Sequence, residues 1–163
     1  MRPRRTSRSG LGRDGQKPDP KTQALKLLAR REHSARELKR KLTARGIGDD
    51  DAAAAVAHAS AEGWQNDGRY AEMLVRSRVA QGYGPVRIRA ELEVAGLPAA
   101  DIQEALDNAG VDWREQAAAA HAKKFGAIPG TSAERAKQYR FLQGRGFDAS
   151  QISAALKGGA DDS

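Results

Sequence analysis

The chain has 163 residues, with 28 Lys and Arg against 21 Asp and Glu, a formal net charge of +7, and no cysteine. Absence of cysteine excludes disulfides and thiolate metal sites. No apolar run reaches the eighteen or more residues of a membrane-spanning helix, and the basic N-terminus has no apolar segment behind it, so a secretory signal is not expected.

Residues 1–18 place Arg2, Arg4, Arg5, Arg8, Arg13 and Lys17 among Gly, Ser and Pro without apolar periodicity, which is the composition of a disordered basic arm. A first helix is expected from about Pro20 to Arg31, with Ala24, Leu25 and Leu28 on its apolar face. Ser34 and Glu37 have capping-box spacing and open a second helix, with Leu38 and Leu42 turned inward and a stop at Gly46. Asp49, Asp50 and Asp51 then suit the positive end of a third helix, which turns Ala52, Ala55, Val56 and Ala59 inward. The second unit repeats the plan. Asn66-Asp67 starts a helix carrying Tyr70, Leu74 and Val75 that ends near Gly82. Gly84-Pro85 opens the next helix, with Ile88 and Leu92 inward. Pro98 and Asp101 begin another, which presents Ile102, Ala105 and Leu106. The third unit begins near Val111 with an Ala-rich helix to Phe125 and a loop from Gly126 to Gly130. Thr131 and Glu134 form a second box before a helix with Tyr139, Phe141 and Leu142, and Asp148 with Gln151 caps the last helix.

One pattern organises these elements. Leu42…Gly46-Ile47, Leu92…Gly96-Leu97 and Leu142…Gly146-Phe147 stand at a constant period of fifty residues. A leucine, three residues, a glycine and an apolar residue is the pattern of a Schellman helix stop, in which glycine takes the left-handed conformation and the two apolar residues touch. The expected fold is therefore all-α: three tandem three-helix repeats, about nine helices, in an elongated, curved array of helix-turn-helix-like units. The boundaries expected are 1–18 for the basic arm, 19–64, 65–110 and 111–157 for the three repeats, and 158–163 for a flexible tail. Trp64 and Trp113 fall at the junctions and are expected to fill the seams between units.

Charge alternates with the repeat. Residues 21–47 carry nine basic and two acidic groups, whereas residues 48–65 carry four acidic groups and no Lys or Arg. Residues 99–116 carry five acidic groups and one basic, and residues 117–147 six basic and one acidic. The third helices of units one and two hold Asp49, Asp50, Asp51 and Glu62, and Asp101, Glu104 and Asp107. Such helices would repel the phosphate walls of a DNA major groove, which argues against operator reading by them. The basic groups sit on the first two helices of each unit. They include Lys26, Arg45, Lys123 and Lys124, and the candidate binding face is Arg30, Arg31, Arg36, Lys39, Arg40 and Lys41; then Arg76, Arg78, Arg87 and Arg89; then Arg135, Lys137, Arg140 and Arg145. This face suits a polymeric anionic partner and supplies affinity without sequence specificity.

No catalytic pattern accompanies it. His33, His58 and His121 stand far apart, without metal-ligand spacing, and are expected at the surface or its boundary. There is no nucleophile elbow and no phosphate loop. Gly82-Tyr83-Gly84-Pro85 follows no strand and is read as a helix break. Binding without catalysis, cofactor, metal or small-molecule substrate is the expectation.

Four motifs together resemble one family. Ser34-x-x-Glu37-Leu38-x-x-Lys41-Leu42, Asn66-Asp67-x-Arg69-Tyr70-Ala71, Gly84-Pro85-x-Arg87-Ile88-x-x-Glu91-Leu92 and Arg145-Gly146-Phe147-x-x-x-Gln151-Ile152 are similar to motifs of the RecX regulatory proteins, in order, from residue 21 to about 157. The chain departs from them at Tyr70, where the family often has Phe, and at Gln143-Gly144, which replaces a more basic pair. The resemblance implies a cytoplasmic protein that binds RecA and its DNA filament. It further implies inhibition of recombinase, ATPase and co-protease activities, and so modulation of recombination and the SOS response. A RecA-independent, nonspecific DNA-binding helical protein is the alternative, and an armadillo-like adaptor a third reading.

Overall fold

The computed structural model describes residues 19–158. The expected basic arm lies outside these residues, as does the expected tail except Gly158. Among the described residues there are nine α-helices and no strand: α1 (Pro20–Arg30), α2 (Ala35–Ala44), α3 (Asp49–Ala61), α4 (Asp67–Ala80), α5 (Pro85–Val94), α6 (Ala99–Asn108), α7 (Trp113–Lys124), α8 (Ser132–Gly144) and α9 (Ala149–Leu156). They form three tandem three-helix units, and in each the first and second helices pack on the third.

The three helix stops have the expected geometry. Gly46, Gly96 and Gly146 adopt φ of 90°, 93° and 94°. In each stop the residue after the glycine donates its N–H to the leucine carbonyl five residues back, at 3.2 Å (Ile47 to Leu42, Leu97 to Leu92, Phe147 to Leu142). The glycine N–H reaches the carbonyl three residues back at 3.0 Å. This closure satisfies carbonyls that a helix end leaves orphaned. It also folds the apolar residue onto its leucine: Leu42, Leu92 and Leu142 are fully buried, and Ile47, Leu97 and Phe147 nearly so. Each unit thereby has its own core. Leu38, Leu42, Ala52 and Ala55 centre the first, Ile88, Leu92, Ile102 and Leu106 the second, and Leu142, Phe147, Ile152 and Leu156 the third. Burying each large aliphatic side chain stabilises its unit by roughly 1.5–3 kcal/mol before entropy is counted.

Several local expectations are corrected. Leu27, not Leu25, completes the buried stripe of α1. Ala24, Leu27 and Leu28 follow the i, i+3, i+4 spacing of one face, and Leu25 lies 42% exposed beside it. Trp113 packs against the second core as a seam residue, but Trp64 is 36% exposed and meets the His58 ring edge-on, at 5.3 Å. The box at Asp148 and Gln151 is complete. At Ser34 only half of it forms: the hydroxyl accepts from the Glu37 N–H at 3.1 Å, while the Glu37 carboxylate turns away to Arg31.

Some of the other donors at the start of α2 and α5 are met by the next unit. The Ala35 N–H donates to Asp67 Oδ1 of α4 at 2.9 Å. The Gly84 and Val86 N–H groups donate to the Arg145 and Gly146 carbonyls in the stop of unit three, at 2.8 and 2.9 Å. Pro85 between them has no N–H to satisfy. This approach is so close that a Cβ on Gly84 would run into the Gly146 carbonyl. The third unit's second helix caps itself: Thr131 accepts from the Glu134 N–H, and Glu134 accepts from the Gly130 N–H.

The three stop glycines should therefore tolerate alanine unequally. At Gly46 the added Cβ meets nothing within 4 Å, so Gly46→Ala should cost about 1 kcal/mol from positive φ alone. At Gly96 it would lie 2.8 Å from Arg36 Nε, the outer part of a flexible side chain. At Gly146 it would run into Arg87 Cβ and lie 2.7 Å from the Arg87 backbone nitrogen, adding an overpacking penalty of about 1–3 kcal/mol. Urea unfolding should rank the losses Gly46 < Gly96 < Gly146; equal losses would refute the joint at Gly146.

Candidate functional site

The fourteen basic side chains singled out from the sequence divide by what they already hold. Arg31 forks onto Glu37 with two contacts of 2.9 Å, and Lys41 Nζ lies 4.0 Å from the same carboxylate. Burial would raise the Glu37 carboxyl, but the Arg31 hydrogen bonds and charge outweigh it and hold the group below its ordinary value. Arg78 forks onto Glu91 at 2.9–3.1 Å, and Arg87 lies 3.8 Å from the same group. Arg36 reaches the Val94 carbonyl at 3.5 Å, and Arg89 donates to Gln103, which donates in turn to Asp107. Arg145 donates to the Gln81 carbonyl at 3.4 Å and stacks over Tyr83 and Phe141, while Arg87 covers Tyr83 with its guanidinium 4.0 Å from the ring centre.

The other seven make no hydrogen bond or ion pair through their side chains among the described residues. They are Arg30, Lys39, Arg40, Arg76, Arg135, Lys137 and Arg140, all exposed. In the first group Glu37 and Glu91 answer part of the charge of Arg31, Lys41, Arg78 and Arg87, while Arg36, Arg89 and Arg145 are held by neutral acceptors. The second group's charge is available to an outside anion.

The structure also shows which of these residues share a surface. Arg36, Arg40, Arg78 and Arg87 line one cleft of about 550 Å³ between α2 and the α4–α5 pair. Arg30, Arg31, Lys41 and Arg45 surround a second depression over His33. Arg145 joins Lys123 and Lys124 at a third, between units two and three. Arg76 stands apart, on an α4–α6 groove with Val75, Val79 and Val111. The Arg89 guanidinium is tied to α6, and Arg135, Lys137 and Arg140 project from α8.

Two histidines expected near the surface are buried instead. His33 is 1% exposed, with Nδ1 at 2.9 Å from the Arg31 carbonyl and Nε2 at 3.0 Å from Lys41 Nζ. Because a lysine ammonium only donates, Nε2 accepts and Nδ1–H donates, which requires a neutral ring. Burial pushes His33 below its ordinary value in the same sense, and it lowers Lys41 as well, reinforced by the Arg31 charge. His121 is buried against Gln138 Oε1 at 2.6 Å. Among the described residues no three His, Asp or Glu groups gather as metal ligands.

Sequence reasoning missed two residues of the joints. Arg69 bonds Glu32 at 2.9 Å and the Gly63 carbonyl at 2.7 Å, tying α4 to unit one. Tyr83 looked like part of a helix break, and its only advance signal is an aromatic between two glycines.

Models of the first, second and third three-helix domains of RecX match residues 21–58, 66–106 and 112–156. The regulatory protein RecX of Stenotrophomonas maltophilia (strain K279a) is 46% identical over 155 residues, covering 94% of this chain and 95% of its own. The chain belongs to the RecX family. A RecX of Halorhodospira halophila (strain DSM 244 / SL1) is 45% identical over 140 residues, with 85% and 87% covered. The crystal structure of RecX from Lactobacillus salivarius shares the fold at 21% identity, with a TM-score of 0.70 over 85% of this chain and 92% of that one. The RecX domain repeat thus coincides with the three helix stops, and the family is one of regulatory proteins.

The His33 arrangement has a measurable consequence. The unfolded chain takes up a proton near the ordinary value of 6.5, whereas the folded ring resists it. Stability is then complete above about pH 6.5 and is lost as pH falls toward the depressed folded value, by at most about 1.4 kcal/mol per pH unit. Urea unfolding between pH 8 and pH 5 should show this loss, and His33→Gln should flatten it. An unchanged pH profile in His33→Gln would contradict the neutral-ring assignment.

Proposed function

We propose that this chain binds RecA and its DNA filament in the cytoplasm and inhibits the recombinase, ATPase and co-protease activities, thereby modulating homologous recombination and the SOS response. It acts by binding and not by catalysis. Membership of a family of regulatory proteins named RecX carries the reading. The charge distribution supports it physically. Unpaired cations remain on first and second helices, and the third helices of units one and two are acidic, so one class of surface meets an anionic polymer while another is kept from it. The alternative is nonspecific binding of bare DNA without RecA, which the exposed Arg135, Lys137 and Arg140 of α8 would also serve.

Lys39 and Arg40 are the cleanest probes, because neither is held by another side chain, whereas Arg36 braces the joint at Gly96. The Lys39→Glu, Arg40→Glu double variant should keep its helicity by circular dichroism. It should need about tenfold or more protein to inhibit RecA's DNA-dependent ATPase. Full inhibition by the folded double variant would remove this face from the interaction. Binding of the natural sequence to bare DNA as tightly as to the filament, at matched salt, would favour the alternative.

A further inference from the structure

The cleft between α2 of unit one and α4 and α5 of unit two sets four arginines around an apolar patch. Leu74, Ala90 and Val94 line it. Val94 is 77% exposed although its neighbours Leu92 and Ala95 are buried. An exposed β-branched side chain on a helix's last turn does nothing for the fold and remains an apolar contact without a partner.

The two acids that line the cleft are already answered. Glu37 is gripped by Arg31 and Glu91 by Arg78, each through paired contacts near 2.9 Å. Arg40 has no partner among the described residues, and Arg36 reaches only a carbonyl, at 3.5 Å. What the rim presents outward is therefore positive.

Tyr70 supplies a third and independent observation. It is only 8% exposed, it lines the cleft, and its hydroxyl makes no hydrogen bond among the described residues. A phenol is protonated at neutral pH, and burial raises its ionisation further, so the wall of the cleft offers an O–H donor to an acceptor that enters it.

We propose that this cleft is the docking site for a segment of a partner protein that carries carboxylates for the arginine rim and an apolar side chain for the floor at Val94. Nucleic acid matches the rim but offers phosphates to an apolar floor. Residues 1–18 carry six basic groups and would be repelled by the rim. Residues 159–163 carry two Asp but nothing apolar larger than Ala160. Because α2 belongs to unit one and α4–α5 to unit two, an occupant bridges two units and holds them in one arrangement. The proposal deepens the reading above, in that it makes protein and not DNA the occupant here. It rests on that reading for the identity of the partner, and its test uses no RecA, so the two fail separately.

The probes are two blocked hexapeptides of equal charge, Asp-Asp-Leu-Phe-Asp-Asp and Asp-Asp-Ser-Ser-Asp-Asp, titrated into the full ¹⁵N-labelled chain at low salt. The Leu-Phe peptide should shift the amides of Leu74, Val94 and Ala95 and bind about tenfold tighter than the serine peptide. Val94→Lys adds a positive charge on an exposed position, yet it should abolish that preference. Arg40→Glu should weaken both peptides. Equal binding of the two peptides, or no shift at these amides with either, would overturn the proposal. So would a thymidine 36-mer that shifts the same amides and binds Val94→Lys more tightly, because the cleft would then belong to nucleic acid.

Discussion

Backbone N–H groups at the start of a helix need acceptors that the helix itself does not supply. Here, part of that need in one unit is met by the next. Asp67 of unit two answers Ala35 of unit one, and the Arg145 and Gly146 carbonyls of unit three answer Gly84 and Val86 of unit two. The dependence is strongest at α5, whose N-cap is a glycine with no side chain to offer. In unit three, the last among the described residues, Thr131 and Glu134 provide the cap locally.

The same joints explain how the arginines are spent. Arg69 and Arg36 brace units one and two, through Glu32 and the carbonyls of Gly63 and Val94. Arg145 of unit three and Arg87 of unit two both stack on Tyr83. A guanidinium suits this work because its planar fork bonds two acceptors and its face stacks on an aromatic ring. The cations left over are the ones an outside partner can use. Net charge alone would not separate the two groups, because Arg36 and Arg40 are neighbours on one helix with different duties.

Much of this was legible in the sequence, for a physical reason. The Leu-x-x-x-Gly-apolar stops, the Asp148 box, Pro85 and the acidic third helices are short-range patterns whose meaning is settled within a turn or two. What was missed depends on contacts between one helix and another. The Glu37 carboxylate answers Arg31 instead of closing the box at Ser34. His33 is buried with Lys41 of α2 bonded to its ring, and Leu27 takes the place expected of Leu25 on the face of α1 that packs in the first core. The helix stops themselves gained a second role: they end helices and, at Gly96 and Gly146, they receive the start of the preceding unit's second helix. The chemistry of the cleft at Tyr70 and Val94 was likewise invisible, since it is assembled from three helices of two units.

Capping of one unit by the next is tested most directly by amide hydrogen exchange at Ala35 after a change made in the neighbouring unit. Asp67→Ala removes an acceptor thirty-two residues away in sequence. If units cap one another, exchange at the Ala35 amide should accelerate by about tenfold, the loss of roughly one hydrogen bond to a charged group, while Leu42 at the core of unit one stays protected. Unchanged exchange at Ala35 in a folded Asp67→Ala chain would contradict the joint and with it the view that each unit's helix start depends on the next.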